Sequence, residues 1–360
     1  MTEMSYFDIN SADGLALVQG SRPVGRQRNG KYEIVTNSAG FPMVRTNRGL
    51  QVNSVLRKDE WEELDAAVIR AATLRLNAVG HLAERGLVKT LGSLGTTVSQ
   101  WNTSSEMTRA AVTIEGYSRG SRDRLDFELN SVPVPVIHKE YDFGTRELEA
   151  SRRMGNALET GHAEAAARVV AEELERMLIG GNTNIVIGGS TIYGYTTHPD
   201  RNTGSGSDWG TAVNVLSTVD AMITALQGDG HYGPYALYAA TTQYNQARNL
   251  FFTDGAGDTP YDRVLKMGGI TGFYPSDWIT AGQCVLVQMD TETVDLAFVP
   301  GYGFNWANET ERKVQITGVT NLEWVSGDGM QNFFKSLCVA VPRVKSKYDG
   351  KCGIAHYSSI

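Results

Sequence analysis

The stretch "RELEASRRMGNALETGHAEAAARVVAEELERMLIGG", residues 146–181, constrains this 360-residue chain more than any other. Ala166, Val170, Leu174, Met177 and Leu178 recur at helical spacing, and Met154 and Leu158 extend the same stripe upstream. Glu, Arg and Ala fill the remaining faces with good helix formers, and Gly180-Gly181 supplies the stop. At 1.5 Å per residue such a helix runs roughly 50 Å, longer than most small domains are wide. A rod of that length is a scaffold element, and the rest of the chain has to be arranged around it.

What lies on either side differs in texture. Residues 1–57 carry no sustained helical period and only short extended pieces such as "KYEIVT" and "FPMVRT". They read as a long arm that crosses other surfaces instead of packing a core of its own, an arrangement that partners usually order. "RKDEWEELDAAVIRAATLRLNAVGHLAERG" then predicts a helix, with Trp61, Leu64, Val68 and Ala71 on one face and Asp59 and Glu60 at its positive end. From about residue 96 to 144 the pattern turns to β. "AAVTIEGYS" and "RLDFELN" flank the turn "RGSRD", and Pro133 and Pro135 keep the exit extended. Beyond the rod a compact α/β region is predicted. It has a helix over 211–227, a buried strand "PYALYAAT", a short helix "TTQYNQARNLFF", and strands "QCVLVQM" and "VDLAFVP". The tail, with "KVQITGVTNLEWV" and "FFKSLCVAVPRVKS", is again β.

The net charge of −7 argues against a protein that coats nucleic acid with its whole surface. Residues 1–58 are nevertheless +4, with eight Lys/Arg against four acids, which leaves −11 for the remainder. A basic arm on an acidic body can touch an acidic neighbour or a polyanion; an extended arm with solvated charges is the alternative. No apolar run approaches the roughly 18–20 residues a membrane span needs, and no signal peptide is expected from the acidic start. Cys284, Cys338 and Cys352 are too few and too scattered for a disulfide framework and read as reduced thiols.

The chemical motifs weigh against an enzyme. Gly116-Tyr117-Ser118-Arg119-Gly120 spells the G-x-S-x-G of a serine hydrolase's nucleophile elbow, which requires a strand before the Ser and a helix directly after it. Here a polar turn and a second strand follow, so Ser118 reads as a turn residue, and a serine hydrolase using it is the alternative from another class. The six histidines are spread singly, with no metal-ligand spacing, and neither a P-loop nor a dinucleotide fingerprint occurs. "DGAGDTPYD" contains Asp254, Asp258 and Asp262 but lacks the spacing and chelating Glu of an EF-hand. No cofactor, metal or catalytic residue is assigned.

Four motifs in order resemble one family. "DEWEELDAAVIRAA" (59–72) is similar to the early helix of the encapsulin-like branch of the HK97-like capsid fold. "SVPVPVIHKEYDFGTRELEASRR" (131–153) resembles its hairpin exit into the spine, "AARVVAEELERMLIGG" (166–181) its spine end, and "GPYALYAATTQY" (233–244) the strand-to-helix step of its A-domain. The resemblance covers about residues 57–360 and implies an α+β fold. Its parts would be an N-terminal arm (1–57), a helical part of the P-domain (58–95), an E-loop hairpin (96–144) and the spine helix (145–182), followed by an A-domain (183–312) and C-terminal strands returning to the P-domain (313–360). Some 55 residues precede the first helix, more than is usual in encapsulins and more typical of tailed-phage capsids. The resemblance therefore implies a bacteriophage major capsid protein that assembles with itself, as pentamers and hexamers, into an icosahedral virion around double-stranded DNA without sequence specificity. An encapsulin-type compartment enclosing cargo enzyme is the alternative. A scaffolding protein would be separate, and portal or decoration proteins are further possible partners. Arg119, Arg122, Asp123, Arg124 and Asp126 at the hairpin tip are the candidates for cross-subunit ion pairs, each worth roughly 0–1 kcal/mol but repeated across a closed lattice. Solvated turn charges are the alternative there.

Overall fold

The computed structural model describes residues 76–110, 122–144, 161–252, 257–308, 313–316, 320–325 and 331–360, the strands at 5–8, 31–36, 42–46 and 49–51, and positions 64, 67, 112, 114, 146 and 150. The chain divides into two compact units, one of residues 1–74, 138–170 and 317–338, the other of 75–137, 171–316 and 339–360.

In chain order the elements begin with β1 (Ser5–Asp8), β2 (Lys31–Thr36), β3 (Pro42–Thr46) and β4 (Gly49–Gln51). These pair in sequence as an antiparallel sheet, so the arm builds local structure where a purely extended path was expected. "KYEIVT" and "FPMVRT" are its central strands, paired from Glu33–Arg45 to Thr36–Pro42. There follow α1 (Ala78–Glu84), β5 (Val88–Thr90), β6 (Val98–Ser104), β7 (Phe127–Pro133), β8 (Ile137–Gly144) and α2 (Gly161–Gly180). A hairpin of β9 (Asn182–Ile187) and β10 (Ser190–Ile192) comes next, then β11 (Asn202–Ser205), α3 (Ala212–Gly228), β12 (Tyr235–Ala240), α4 (Thr241–Asn249) and α5 (Pro260–Lys266). Strands β13 (Ile270–Ser276), β14 (Gln283–Gln288), β15 (Val294–Phe298), β16 (Phe304–Asn308), β17 (Lys313–Ile316), β18 (Thr320–Val325), β19 (Gln331–Cys338), β20 (Ala340–Val344) and β21 (Ile354–Ser358) complete the chain.

The first unit holds the β1–β4 meander and a three-stranded sheet ordered β18-β19-β8. The second unit holds a mixed five-stranded sheet, ordered β11-β21-β14-β12-β13. Strand β12 is buried along its whole length, as its unbroken apolar run predicts for a central strand. Helix α3 lays Val215, Val219, Met222, Ile223 and Leu226 on that sheet, where they meet Leu237, Ala239, Phe273 and Leu286. Its spacing was legible from the sequence, and α4 and strands β14 and β15 also fall where the patterns place them.

The described part of the rod, α2, buries all five residues of its predicted stripe. Positions 146 and 150 are helical, and 151–160 lie outside the described residues. The end of α2 is closed by the backbone that follows. Tyr195 N donates to Leu178 O at 3.0 Å, Thr196 N to Ile179 O at 2.8 Å, and Thr197 Oγ1 to Gly180 O at 3.0 Å. Carbonyls that a helix end leaves without partners are thereby satisfied. The chain turns there at Gly181, whose φ of +70° and close neighbours admit no side chain: an added Cβ would stand 2.5 Å from Ile192 O.

Helix α2 also carries a carboxylate into the core. Glu175 is 3% exposed and accepts hydrogen bonds from Ala78 N at 2.7 Å and Val79 N at 3.1 Å, capping α1 from outside its own segment. Burial pushes its pKa up to about 7, with the two backbone N–H groups pulling the other way. At its other end α1 is tied to the five-stranded sheet. His81 Nδ1 is 3.1 Å from Tyr238 Oη, its ring lies on that of Tyr274, and Arg85 donates to Thr271 Oγ1.

Two outcomes are expected. Replacing Gly181 with Ala should lower the unfolding free energy by about 1–3 kcal/mol, read from denaturant titration, because both φ and the Ile192 carbonyl oppose a Cβ. Because the folded pKa of Glu175 is raised, its contribution is fully present below about pH 4.5 and lost as pH rises through about 7. Thermal melts of the wild type should therefore fall over that window, and Glu175→Gln should flatten the dependence.

Candidate assembly interface

In the second unit β6 and β7 pair as a long hairpin. Its arms pair without interruption from Val98–Pro133 to Ser104–Phe127, and Ser105 N continues the ladder to Asp126 O at 2.9 Å. The two strands form a sheet of their own. Large apolar side chains stand in solvent along it: Phe127 is 70% exposed and Leu129 61%, with Met107, Val112 and Ile114 exposed further out. An isolated two-stranded ribbon is marginal in water, and a run of uncovered apolar side chains marks a contact surface.

The candidate ionic residues sort into distinct positions. Asp123 is turned inward along the hairpin, accepting from Thr108 N at 2.6 Å and from Thr108 Oγ1. Those bonds, the side-chain one first, hold its carboxyl below the usual range. Asp126 braces the hairpin only through its backbone, whose N–H donates to Ser105 Oγ at 3.0 Å, and the residue itself is exposed. Arg122 and Arg124 are exposed, and among the described residues neither has an ion-pair partner. Arg119 and Ser118 lie outside the described residues. The element that follows Ser118 is strand β7 and not a helix, so the strand–turn–helix setting of a nucleophile elbow is missing among the described residues.

The remaining chemical candidates are occupied structurally. Asp258 pairs with Lys266 at 3.3 Å and Arg263 at 3.9 Å, and Asp262 closes a capping box with Thr259 at the start of α5. Asp254 lies outside the described residues. His198 Nδ1 accepts from Asp200 N, His231 meets Gln288, and His356 lies between Arg201 and Gln283. Desolvation lowers the pKa of each of these three rings. Among the described residues no group of three His, Cys, Asp or Glu could hold a metal. All three cysteines are free and buried, with Cys338 and Cys352 each pushed up to about 12 by desolvation, so they are poor nucleophiles. No helix among the described residues is long and apolar enough to cross a membrane.

Sequence reading passed over what roots the hairpin. Strand β15 places Asp295 directly opposite Arg343 of β20, and the pair is buried, at 4% and 2% exposure. Arg343 grips both carboxylate oxygens, Lys345 Nζ adds a bond at 2.7 Å, and the third guanidinium nitrogen donates to Ser99 Oγ of β6 at 3.2 Å. The available signal was one lone charge of each sign in two otherwise apolar strands, "VDLAF" and "AVPRV".

Comparison with known proteins agrees with this architecture. Residues 51–317 match the Linocin_M18 family, described as encapsulating protein for peroxidase. The type 1 encapsulin shell protein EncA of Myxococcus xanthus is 25% identical over 244 residues, 67% of this chain and 80% of that protein. Among solved structures, the virus-like particle from Pyrococcus furiosus aligns with a TM-score of 0.56 at 14% identity, over 83% of this chain and 99% of that one. The capsid of Myoviridae phage XM1 gives 0.55 at 13% over 76% and 89%, and the capsid of a native GTA particle gives 0.54 at 14% over 97% and 98%. The chain belongs to the Linocin_M18 family of encapsulating proteins, and it is a shell-forming protein with the HK97-like capsid fold in its encapsulin-like branch.

Proposed function

We propose that this chain builds a closed compartment around protein cargo, a cytoplasmic counterpart of a capsid without catalysis of its own. The observation that carries the reading is the family match over 51–317, reinforced by the identity to an encapsulin shell protein over most of that protein's length. The capsid structures share the fold at 13–14% identity, a likeness of architecture that does not choose contents. Subunits would meet through the β6–β7 hairpin laid over a neighbour, with Val112, Ile114, Phe127 and Leu129 supplying apolar contact. Arg119, Arg122 and Arg124 would pair with a neighbour's acids and Asp126 with a neighbour's cation, while the Asp123 carboxylate braces the hairpin at Thr108. Cargo would be held on the inner wall by a short peptide segment.

A virion around double-stranded DNA is the second reading. The observation favouring it is the four-stranded arm that precedes the family-matched region, where phage capsids carry tying arms. Portal, scaffolding and decoration proteins would belong to that case only.

Particles purified from the native source decide between them. A compartment should yield shells with a stoichiometric co-purifying protein and no long nuclease-protected DNA, read by mass spectrometry and gel electrophoresis after nuclease treatment. Genome-length protected DNA would overturn the compartment. Introducing charge with Val112→Asp and Ile114→Asp together should leave a folded subunit by circular dichroism and abolish shells in electron micrographs. Normal assembly of that variant would remove the hairpin from the interface.

A further inference from the structure

The root of the β6–β7 hairpin is held on both faces, by different elements. Ser99 and Trp101 lie two residues apart on one face of β6, with Val132 and Asn130 as their cross-strand partners. On that face Arg343 of β20 bonds Ser99 Oγ, and its guanidinium carbon sits 5.5 Å from the Trp101 ring centroid. On the opposite face of the ribbon Ser131 Oγ is 2.5 Å from Ser190 Oγ of β10, at the end of the tight Gly188-Gly189 turn. Arg343 cannot shift to follow the hairpin, because its other two nitrogens are committed to the buried Asp295.

Apolar packing at Val132, Pro133 and Val134 seats the base of the hairpin but leaves room beside it. A cavity of about 250 Å³ opens beside the root, lined by Trp101, Leu129 and Asn130 of the hairpin, Thr191 of β10, and Pro342 and Val344 on either side of Arg343. With space there, packing leaves the hairpin some freedom of angle, and the directional bonds at Ser99 and Ser131 are the restraints on it. The leverage is large. Seven residues of strand reach about 23 Å, so a 10° tilt at the root displaces the far end by about 4 Å, close to a full strand spacing.

We propose that Arg343, Ser99 and Ser131 with Ser190 are positioning residues for assembly, fixing the hairpin's departure angle and through it the curvature and copy number of the shell. Subunits joined through a projecting arm close at a size set by the angle of that arm, so releasing the root lets neighbouring subunits meet at more than one angle. The inference rests on shell formation alone and holds whatever the shell contains.

The test compares particle masses of wild type, Ser99→Ala, Ser131→Ala and Arg343→Lys by charge-detection mass spectrometry and electron microscopy, with a thermal melt of each. Arg343→Lys keeps a cation on Asp295 while removing the donor to Ser99. Closed shells whose mass distribution splits or moves to a different copy number are expected for Ser99→Ala and Arg343→Lys, with a smaller broadening for Ser131→Ala. A structural role alone would lower the melting midpoint and leave the mass unchanged. Shells of wild-type mass in all three variants would overturn the proposal. Should Arg343→Lys not accumulate as folded protein, Ser99→Ala and Ser131→Ala decide on the same criterion.

Discussion

A two-stranded ribbon gains from its own ladder barely enough to stay formed in water, and β6–β7 adds to that debt the exposure of Phe127, Leu129, Val112 and Ile114. Removing apolar surface from water is worth about 25 cal/mol per Å², so side chains left 60–100% exposed on a projecting arm are an unspent driving force for association. Such an arm is the candidate surface for contact with neighbouring subunits. The body of the second unit, by contrast, buries its apolar side chains within itself, in a five-stranded sheet with α3 packed on it.

The proposed hold on the arm's angle adds buried polar groups to the apolar packing of Val132, Pro133 and Val134 at its base. Burying an ion pair costs desolvation that its attraction only partly returns, so Arg343–Asp295 adds little net stability compared with two well-packed apolar residues. It provides direction. A guanidinium bonded at both oxygens of one carboxylate has a fixed plane, and the nitrogen that remains points at one place, Ser99. Glu175 follows the same logic at the head of α1: an unpaired carboxylate is a poor stabiliser in a core, yet its two oxygens fix where the first N–H groups of that short helix lie. Helix α1 is then held along its length by Glu175, Tyr238 and Thr271.

How much of this could be read beforehand follows from which interactions leave a periodic trace. The stripe of α2, the spacing of α3 and the unbroken apolar run of β12 are one-dimensional patterns of burial, and they appear in the sequence as such. The hairpin β9–β10 was missed although "NIVIGGSTI" contains a Gly-Gly turn between strand-forming residues; the preceding helix stop at Gly180-Gly181 drew the pattern to itself. The meander β1–β4 reads as an extended arm because its strands are short and separated by polar stretches, and their pairing is visible only in register. Glu175 leaves no trace of its partners, and Arg343 leaves only the lone opposite charge of Asp295 in another apolar strand, with nothing that points to Ser99. A glutamate in an acidic helix looks solvated, and a lone arginine in a tail strand looks like an edge residue, until residues 97 and 244 positions away are brought against them.

Charge bears on what such a shell can enclose. Each subunit carries −7, of which the first 58 residues offset +4 against −11 elsewhere. Double-stranded DNA presents one negative charge per roughly 1.7 Å of axis, so confining it within many acidic subunits opposes two fields of one sign. Such packing has to be driven from outside the electrostatics, by a motor or by basic segments facing inward. A folded cargo held by a short peptide needs neither, since its attachment is local and stoichiometric and its own surface can be neutral or basic. An acidic subunit is compatible with protein cargo, and basic segments facing inward, of which the arm is one and the tail from 331 to 360 another, would shift that balance.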